Sequence, residues 1–429
     1  MDTVLGFDSI AFWIVVTGAL VNATGALLGN YLVLRRMSLL GDAISHAVLP
    51  GLAAAFILAG TRDLLPMLAG ALVAGLVTAL LTELIRRYAN VPEDAAMGVV
   101  FTSLFALGVV LISRAASEVD LDPGCVLYGI IESAALDTTS VFGLEIPRVT
   151  LGMAAAALAV IAFILLLWKE LKIVAFDADL ATTLGFHAQR IHLLLMAMVA
   201  LYTVAAFEAV GSILVVAMLI VPSATAHLLT DRLDRMMLYA ALIGVSSAVL
   251  GREAAWAMDT SVAGMMAVAA GAHFALAVFF APRHGYLARL AFQARVAFRI
   301  VIEDVVALLY RYQELRPGEP MARPDAFAAL GGGWVNRFAV AWLTLKGFVA
   351  EAREALALTE RGLERGRTLI RGHRLWESYL AKHFALPSDH LHAPADRMEH
   401  YLSEEIVHDV AEDVEHPETD PHGRPIGKN

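Results

Sequence analysis

Long apolar runs recur along the first two thirds of this chain, and they constrain its fold more than any other feature. The runs lie at 10–34, 43–60, 65–84, 95–112, 149–168, 191–229, 237–250 and 262–281. A membrane with a hydrocarbon core of about 30 Å is crossed by about 20 helical residues, and most of these runs are long enough. The 429 residues are 58% hydrophobic and only 17% charged, which excludes an ordinary soluble chain. The sequence therefore predicts an all-α polytopic membrane protein.

The run at 191–229 is about twice the length of one crossing. Its only formal charge, Glu208, stands close to Gly211, so we predict two helices with a bend there. This makes nine crossings, and eight crossings with a cytoplasmic N-terminus is the alternative. In both arrangements the C-terminal tail lies in the cytoplasm.

Basic residues set the orientation of the nine-span arrangement. They fall on one side, which the positive-inside rule assigns to the cytoplasm. The acidic loop at 115–147 then faces outward. The basic residues are Arg35, Arg36, Arg86, Arg87, Lys169, Lys172, Arg232, Arg235 and Arg283.

A soluble tail begins where the last apolar run ends. Residues 284–429 carry 18 Lys and Arg against 21 Asp and Glu, a net charge of −3, and nine of the 14 histidines. After a basic connector at 284–295, the region 296–429 contains no run long enough to cross a membrane. We therefore predict a transmembrane domain at 1–283 and a soluble domain behind it.

Several chemistries are excluded by what the sequence lacks. One cysteine, Cys125, excludes an internal disulfide and a thiolate zinc site. No G-x-x-x-x-G-K-[ST] motif occurs, so any ATP hydrolysis must be carried out by another chain. We expect no enzyme activity and no organic cofactor, and the net charge of −10 argues against a nucleic-acid binder that relies on bulk charge.

The most informative polar pair lies at the start of the second apolar run. Asp42 and His46 are four residues apart and share one helix face. Ionisable groups at membrane depth are functional candidates by default. A carboxylate with an imidazole suits Mn²⁺, Fe²⁺ or Zn²⁺, so the pair predicts a metal path. The alternative is an intrahelical hydrogen bond that only buries two polar groups.

Other polar residues could line the same path. Glu208 and His227 lie in apolar surroundings, although each could instead sit at a membrane boundary. Asp120 and Asp122 could gather cations at the outer mouth, or belong to a solvated acidic loop.

A short amphipathic helix is predicted between two runs, from Asp177 to Gly185. Asp177 and Asp179 stand near its start, and Leu184 and Gly185 near its end. A separate chain that drives transport needs a rigid segment of this kind to engage, and we call residues 177–185 the handle. An ordinary interfacial helix is the alternative.

These features together resemble one family. The segments 35–51, 93–101, 120–122, 177–185 and 210–222 are similar, in order, to the permease subunits of manganese/zinc/iron ABC importers. The resemblance implies a type II importer-like permease that forms a homodimer or heterodimer in the lipid membrane. It also implies separate cytoplasmic ATPase subunits and an external solute-binding protein, and it places Asp42 and His46 in the central metal site.

The tail carries ligand types at helical spacing. His373 and Glu377 are four residues apart, and Asp396, Glu399 and His400 lie within one turn, with His392 one turn earlier. Oxygen and nitrogen donors without thiolate favour Mn²⁺ or Fe²⁺, although imidazole also accepts Zn²⁺. One such pair is usually a solvated ion pair, but two helices that each offer a ligand face favour a metal site.

The tail also resembles the diphtheria toxin repressor class of metal-dependent regulators. The segments that carry the similarity are 358–362, 373–377, 398–403 and 416–426. The resemblance implies a winged-helix-like region at 296–362 and a metal-binding and dimerisation region at 363–429. It assigns Asp396, Glu399 and His400 to a primary site, His373, Glu377 and His392 to an ancillary site, and Asp304 to a ligand position on the first helix. Asp396 stands where manganese-responsive members carry glutamate, which favours Mn²⁺.

The DNA-reading part departs from that pattern. Residues 331–343 carry one charge, Arg337, and several large apolar groups, whereas phosphate contacts need many Lys and Arg. We therefore do not expect DNA binding. The predicted function is the permease of an inner-membrane metal importer with a cytoplasmic metal sensor. A membrane-tethered transcription regulator and a tail that only props the dimer are the alternatives.

Overall fold

The computed structural model describes residues 3–4, 7–37, 39–60, 64–89, 91–115, 131–141, 144–384, 386–387 and 390–427. Contacts divide the chain into two compact units, Met1–Arg289 and Leu290–Asn429. Each unit is described by itself.

The first unit is built from helices, with two short antiparallel hairpins. The hairpins pair β1 (Thr3–Val4) with β2 (Phe7–Asp8) and β3 (Thr138–Val141) with β4 (Leu144–Pro147). The helices are α1 (Ser9–Leu34), α2 (Leu39–Ala47), α3 (Leu49–Ala59), α4 (Leu64–Ala89), α5 (Glu93–Ala115), α6 (Ile131–Ala134), α7 (Arg148–Leu166), α8 (Trp168–Phe176), α9 (Ala178–Thr183), α10 (Ala188–Leu229), α11 (Leu233–Met258) and α12 (Val262–Phe280).

Seven helices among the described residues are long and apolar enough to cross a membrane. They are Ile10–Leu34, Ala69–Arg86, Ala95–Ser113, Arg148–Leu166, Ala188–Phe207, Leu233–Met258 and Val262–Phe280. The other two of the nine predicted crossings coincide with shorter apolar helices, Leu49–Ala59 and Leu214–Leu229. In the first case the apolar run is divided between α2 and α3. Pro50 stands in the first turn of α3, where a missing backbone N–H costs no intrahelical bond.

The bend predicted in the long apolar run is present in α10. Gly211 has φ 76° and ψ 163°, a conformation that interrupts the helix and that glycine adopts without a steric penalty. Glu208 lies three residues before this interruption.

The core of the first unit lies where α1 packs against α10. Tyr31 and Tyr202 are fully buried, and the Tyr202 hydroxyl donates to the Val21 carbonyl oxygen over 3.1 Å. A Cβ atom added at Gly29 would lie 1.8 Å from the Leu219 carbonyl oxygen. Small residues let membrane helices approach in this way, so the two backbones pack directly.

The second unit combines helices with one three-stranded antiparallel sheet, whose order is β5-β7-β6. Its elements are α13 (Tyr286–Leu315), β5 (Met321–Ala322), α14 (Arg323–Ala329), α15 (Trp334–Leu345), β6 (Val349–Ala352), β7 (Ala355–Leu358), α16 (Glu360–His383), α17 (His392–Met398) and α18 (Glu404–Asp413). Helix α13 begins four residues before the division between the two units.

Three hydrophobic clusters among the described residues hold the second unit together. One gathers α13, α15 and the sheet around residues such as Val305, Val340 and Leu356. Another gathers α16, α18 and the C-terminal segment around Leu375, Val410 and Ile426. A small third cluster joins α13 to α16. An all-α membrane part followed by a mainly α domain with a small sheet confirms the predicted fold class.

Candidate functional site

Three helices of the second unit bring carboxylate and imidazole groups together. Each of three groups has its ligand atoms within 4.8 Å of one another. We call them site 1 (His373, Glu377, His392), site 2 (His373, Asp396, Glu399) and site 3 (Asp304, Glu399, His400). Site 1 and site 2 share His373, and site 2 and site 3 share Glu399.

Site 1 is centred on the buried carboxylate of Glu377. His373 Nε2 lies 3.2 Å from Glu377 Oε1, His392 Nδ1 is in direct contact with the same oxygen, and His422 Nε2 lies 3.9 Å away. The rings of His392 and His422 stack, with centroids 4.3 Å apart. Three imidazoles therefore converge on one carboxylate.

Hydrogen bonding at Glu377 supports a metal site there. Both carboxylate oxygens are buried, and neither makes a hydrogen bond of good geometry despite the imidazoles close by. Nitrogen and oxygen donors that converge without hydrogen-bonding one another are arranged as ligands around a common ion. Residues 373, 377, 392 and 422 therefore fit a divalent transition metal.

In site 3, the ring of His400 is held by the carboxylate of Glu303. His400 Nδ1 donates to Glu303 Oε2 over 3.0 Å, and this leaves Nε2 3.3 Å from Asp304 Oδ1. Glu303 is itself held by Arg299, at 3.2 Å, and by Arg365, at 2.6 Å. A carboxylate that fixes the outer nitrogen of a metal-binding imidazole selects the tautomer whose inner nitrogen can coordinate. Glu303 is therefore a positioning residue for His400.

Site 2 lies between the other two. His373 Nδ1 is 2.7 Å from Glu399 Oε2 and 3.4 Å from Asp396 Oδ1. Glu399 and His373 are buried, whereas the Asp396 side chain is half exposed. This site also receives the guanidinium of Arg311, whose Nη2 lies 3.3 Å from Asp396 Oδ1.

His373 faces site 1 with Nε2 and site 2 with Nδ1. A neutral imidazole has one nitrogen lone pair, because the other nitrogen carries the proton. His373 can therefore complete site 1 or site 2, but it cannot serve as a neutral ligand in both at once.

The pKa values of both buried imidazoles are raised. Burial lowers the pKa of His373, but the carboxylates of Glu377 and Glu399 beside the ring outweigh burial and raise the pKa to about 9. For His400, burial is outweighed by bonds with Asp304 and Glu303, and the pKa rises to about 9. Both rings are therefore doubly protonated and positively charged at neutral pH when no metal is bound.

Glu377 shows the opposite shift. Burial raises the pKa of its carboxyl, but the adjacent ring of His373 and the charges of the neighbouring imidazoles outweigh burial and hold the pKa below its usual value. The carboxylate is therefore ionised at neutral pH and able to bind a cation.

The seven residues predicted in the tail all fall in these groups, but the partition differs from the prediction. Asp304 stands with Glu399 and His400, whereas Asp396 stands with His373 and Glu399. Helix α17 ends at Met398, so Asp396 lies within the helix and His400 lies beyond its end.

Three residues at the sites were missed by sequence reasoning. Glu303 and Arg311 are on α13, and His422 is in the C-terminal segment. That segment is tied down by Arg374, which donates to the Pro425 carbonyl oxygen over 2.7 Å and lies 3.7 Å from Asp420. The sequence signal for His422 was its histidine type alone, because no helical spacing relates it to α16.

In the first unit, Asp42 and His46 lie one turn apart on α2, as predicted. The ring of His46 stacks on Phe101, with centroids 6.3 Å apart, and meets Phe105 edge-on at 5.4 Å. The side chains of Asp42 and Glu208 lie outside the described part of the chain, and Asp120 and Asp122 lie outside it entirely. His227 is exposed in the last turn of α10.

The predicted handle, from Asp177 to Gly185, contains α9. The Asp177 side chain caps α9, accepting from the backbone N–H groups of Asp179 at 3.1 Å and Leu180 at 2.8 Å. Gly185, at φ 88°, ends the segment, and Leu180 and Leu184 are exposed. The handle is thus a capped helix that presents apolar side chains outward.

Comparison with known proteins adds two family matches. Residues 8–281 match the ABC 3 transport family, and residues 359–428 match the metal binding and dimerisation domain of iron dependent repressors. The manganese transport system membrane protein MntD of Bacillus subtilis is 45% identical over 282 residues, which cover 66% of this chain and 95% of that protein. The zinc transport system membrane protein TroD of Treponema pallidum is 41% identical over 276 residues, covering 64% and 75%.

One solved structure is also similar. It is PsaBC from Streptococcus pneumoniae in complex with Fab, with 33% identity and a TM-score of 0.55, covering 64% of this chain and 93% of that one. The two relatives are named as membrane proteins of a manganese and a zinc transport system.

Proposed function

This chain belongs to the ABC 3 transport family, and from that membership we propose that it is the permease subunit of an importer for a divalent transition metal. The observation that carries the proposal is the match over residues 8–281 with relatives named for manganese and zinc transport. Mn²⁺ is the favoured cargo, and Zn²⁺ and Fe²⁺ are the alternatives.

In this function Asp42 and His46 receive the metal within the membrane. They stand one turn apart on α2, which packs against α10. The phenyl rings beside His46 make the surroundings of the imidazole less polar, which strengthens its interaction with a cation. Glu208 belongs to the same path, and Asp120 and Asp122 gather cations at its outer mouth.

The permease works in the inner membrane of a bacterium with partners that this chain does not contain. ATP hydrolysis belongs to a cytoplasmic ATPase that engages the capped handle of Asp177, Asp179, Leu184 and Gly185. A solute-binding protein delivers the metal from outside, and a second permease completes the translocation pathway.

The C-terminal domain lies in the cytoplasm and senses the metal that has entered. Three overlapping groups of nitrogen and oxygen donors support this role. Occupancy of these sites lowers transport when internal metal accumulates. Sites 1 to 3 contain no thiolate, which favours Mn²⁺ over softer cations.

The transport assignment is tested by uptake of ⁵⁴Mn into proteoliposomes that contain the permease, its ATPase and its binding protein. We expect uptake by the wild type and a loss of at least about tenfold in the double variant Asp42→Ala, His46→Ala, because both metal ligands within the membrane are removed.

The matched control is His227→Ala, since His227 is an exposed imidazole at the end of a helix of the same unit. This control should transport as the wild type does. Full uptake of ⁵⁴Mn, ⁶⁵Zn and ⁵⁵Fe by the double variant would refute the assigned path.

A further inference from the structure

The guanidinium of Arg311 lies directly against the ligand atoms of site 2. Its Nη2 atom lies 3.3 Å from Asp396 Oδ1, 3.4 Å from His373 Nδ1 and 3.6 Å from Glu399 Oε2. These three atoms are the donors that define the site. The protein therefore places a cation of its own among the ligands.

Helix α13 carries this arginine on the same face as a metal ligand. Asp304 and Arg311 are seven residues apart, which is two helical turns. Asp304 is a ligand of site 3, and Arg311, two turns further along the helix, contacts site 2. One helix thus contributes a ligand to one site and a competing charge to its neighbour.

An ion and the guanidinium cannot share site 2. A divalent transition metal binds nitrogen and oxygen ligands at about 2.0–2.2 Å, so it would lie among the three atoms that now surround Nη2. Two positive charges at such a short distance repel each other strongly. The arginine side chain is only 37% exposed, so solvent screens this repulsion only in part. Metal binding at site 2 therefore requires Arg311 to leave.

We propose that Arg311 is a tethered competitor that lowers the metal affinity of the C-terminal domain and so sets the metal concentration at which the domain responds. This proposal rests on the proposed sensing function of the domain. A sensor that limits import must stay empty at ordinary internal metal levels, and an internal cation that neutralises Asp396 and Glu399 keeps it empty. Arg311 also ties α13 to α16 and α17, so its departure changes how these three helices are held.

The test is a titration of the full-length protein in detergent with Mn²⁺, in which electron paramagnetic resonance reports free Mn²⁺. The variants are Arg311→Met, Arg311→Lys and the matched control Arg316→Met, an exposed arginine directly after the end of the same helix, whose contacts are with Tyr312. Glu399→Ala removes a ligand shared by sites 2 and 3 and defines the binding that belongs to the domain.

We expect Arg311→Met to bind Mn²⁺ at least about tenfold more tightly than the wild type, because the competing charge is gone. Arg311→Lys keeps a cation and should stay close to the wild type, as should Arg316→Met. Without metal, Arg311→Met should melt at a lower temperature than Arg316→Met, and added Mn²⁺ should remove that difference, since the ion then neutralises the same carboxylates.

Equal or weaker Mn²⁺ binding by Arg311→Met would overturn the proposal. If Arg311→Met does not fold, Arg311→Gln tests the same point with a neutral side chain that retains hydrogen-bonding capacity. Failure of the sensing function looks different, because Glu399→Ala would then leave the number of bound Mn²⁺ ions unchanged in every background.

Discussion

His373 and His400 are protonated at neutral pH in the metal-free protein, and this predicts how metal binding responds to pH. Their pKa values are about 9, whereas a metal ligand must be neutral imidazole. We expect the affinity for Mn²⁺ to rise from pH 6.5 to pH 8.5 by about tenfold per pH unit for each ring that must lose a proton. Titrations at three pH values, followed by the resonance of free Mn²⁺, measure the slope.

Stability without metal should change in the opposite direction. A group whose pKa is higher in the folded state contributes stability that is complete below its unfolded pKa of about 6.5 and is lost as the pH rises through about 9. The metal-free protein should therefore melt at a lower temperature at pH 9 than at pH 6.5. A Mn²⁺ affinity independent of pH would contradict the assignment of both rings as ligands.

At the scale of elements, the contact between α1 and α10 depends on a missing side chain. A Cβ atom at Gly29 would lie 1.8 Å from the Leu219 carbonyl oxygen, a backbone atom that cannot rotate away. We expect Gly29→Ala to force the helices apart and destabilise the protein by about 1–3 kcal/mol. Thermal unfolding in detergent measures the loss.

The control for this substitution is Gly271→Ala in α12, where an added Cβ atom meets nothing within 4 Å. The same change in the same kind of helix should leave the unfolding temperature almost unaltered. Equal effects of the two substitutions would show that the close approach of α1 and α10 is not what limits stability.

Helix α15 covers the segment that would read DNA if the resemblance to metal-dependent regulators extended to it, and its surface is wrong for that role. Trp334 and Leu345 are 80% and 84% exposed, Phe338 is exposed as well, and Arg337 is the only charge of the helix. DNA binding needs several cations that contact phosphates. We expect no retardation of duplex DNA by the full-length protein in nanodiscs, with or without Mn²⁺, in a gel-shift assay at low salt. Retardation that weakens as salt is raised would instead favour the membrane-tethered regulator.

At the scale of the whole molecule, the C-terminal domain should slow import when internal metal is high. We expect uptake of ⁵⁴Mn by the wild-type complex to fall severalfold as internal Mn²⁺ rises, consistent with a coupling free energy of about 1–3 kcal/mol. Removal of residues 290–429, which form the second unit, should abolish this fall.

Glu399→Ala is the sharper variant of this experiment, because it keeps the domain and removes a ligand of sites 2 and 3. It should behave as the deletion does. If ⁵⁴Mn uptake by both variants still falls with rising internal Mn²⁺ as it does in the wild type, the domain does not regulate transport and only supports the permease.

Much of the architecture follows from local sequence patterns. Apolar runs predicted the membrane helices because a helix in lipid must satisfy its own backbone and present apolar side chains along its length. The exceptions are local as well: Pro50 divides one run into α2 and α3, and the part of α10 after Gly211 is shorter than a full crossing. Ligand types at helical spacing likewise predicted six residues of the C-terminal sites, whereas the seventh, Asp304, came from the resemblance to metal-dependent regulators.

The sequence by itself determined which helices form and which faces carry ligands, since residues one turn apart on a helix share a face wherever that helix is placed. Only the tertiary structure decided how the ligands combine, because the partners come from α13, α16, α17 and the C-terminal segment. Arg311 is 62 residues from His373, and His422 is 45 residues from Glu377. Contacts at such separations depend on how the helices pack, and the packing puts a shared imidazole between two sites and an arginine inside one of them.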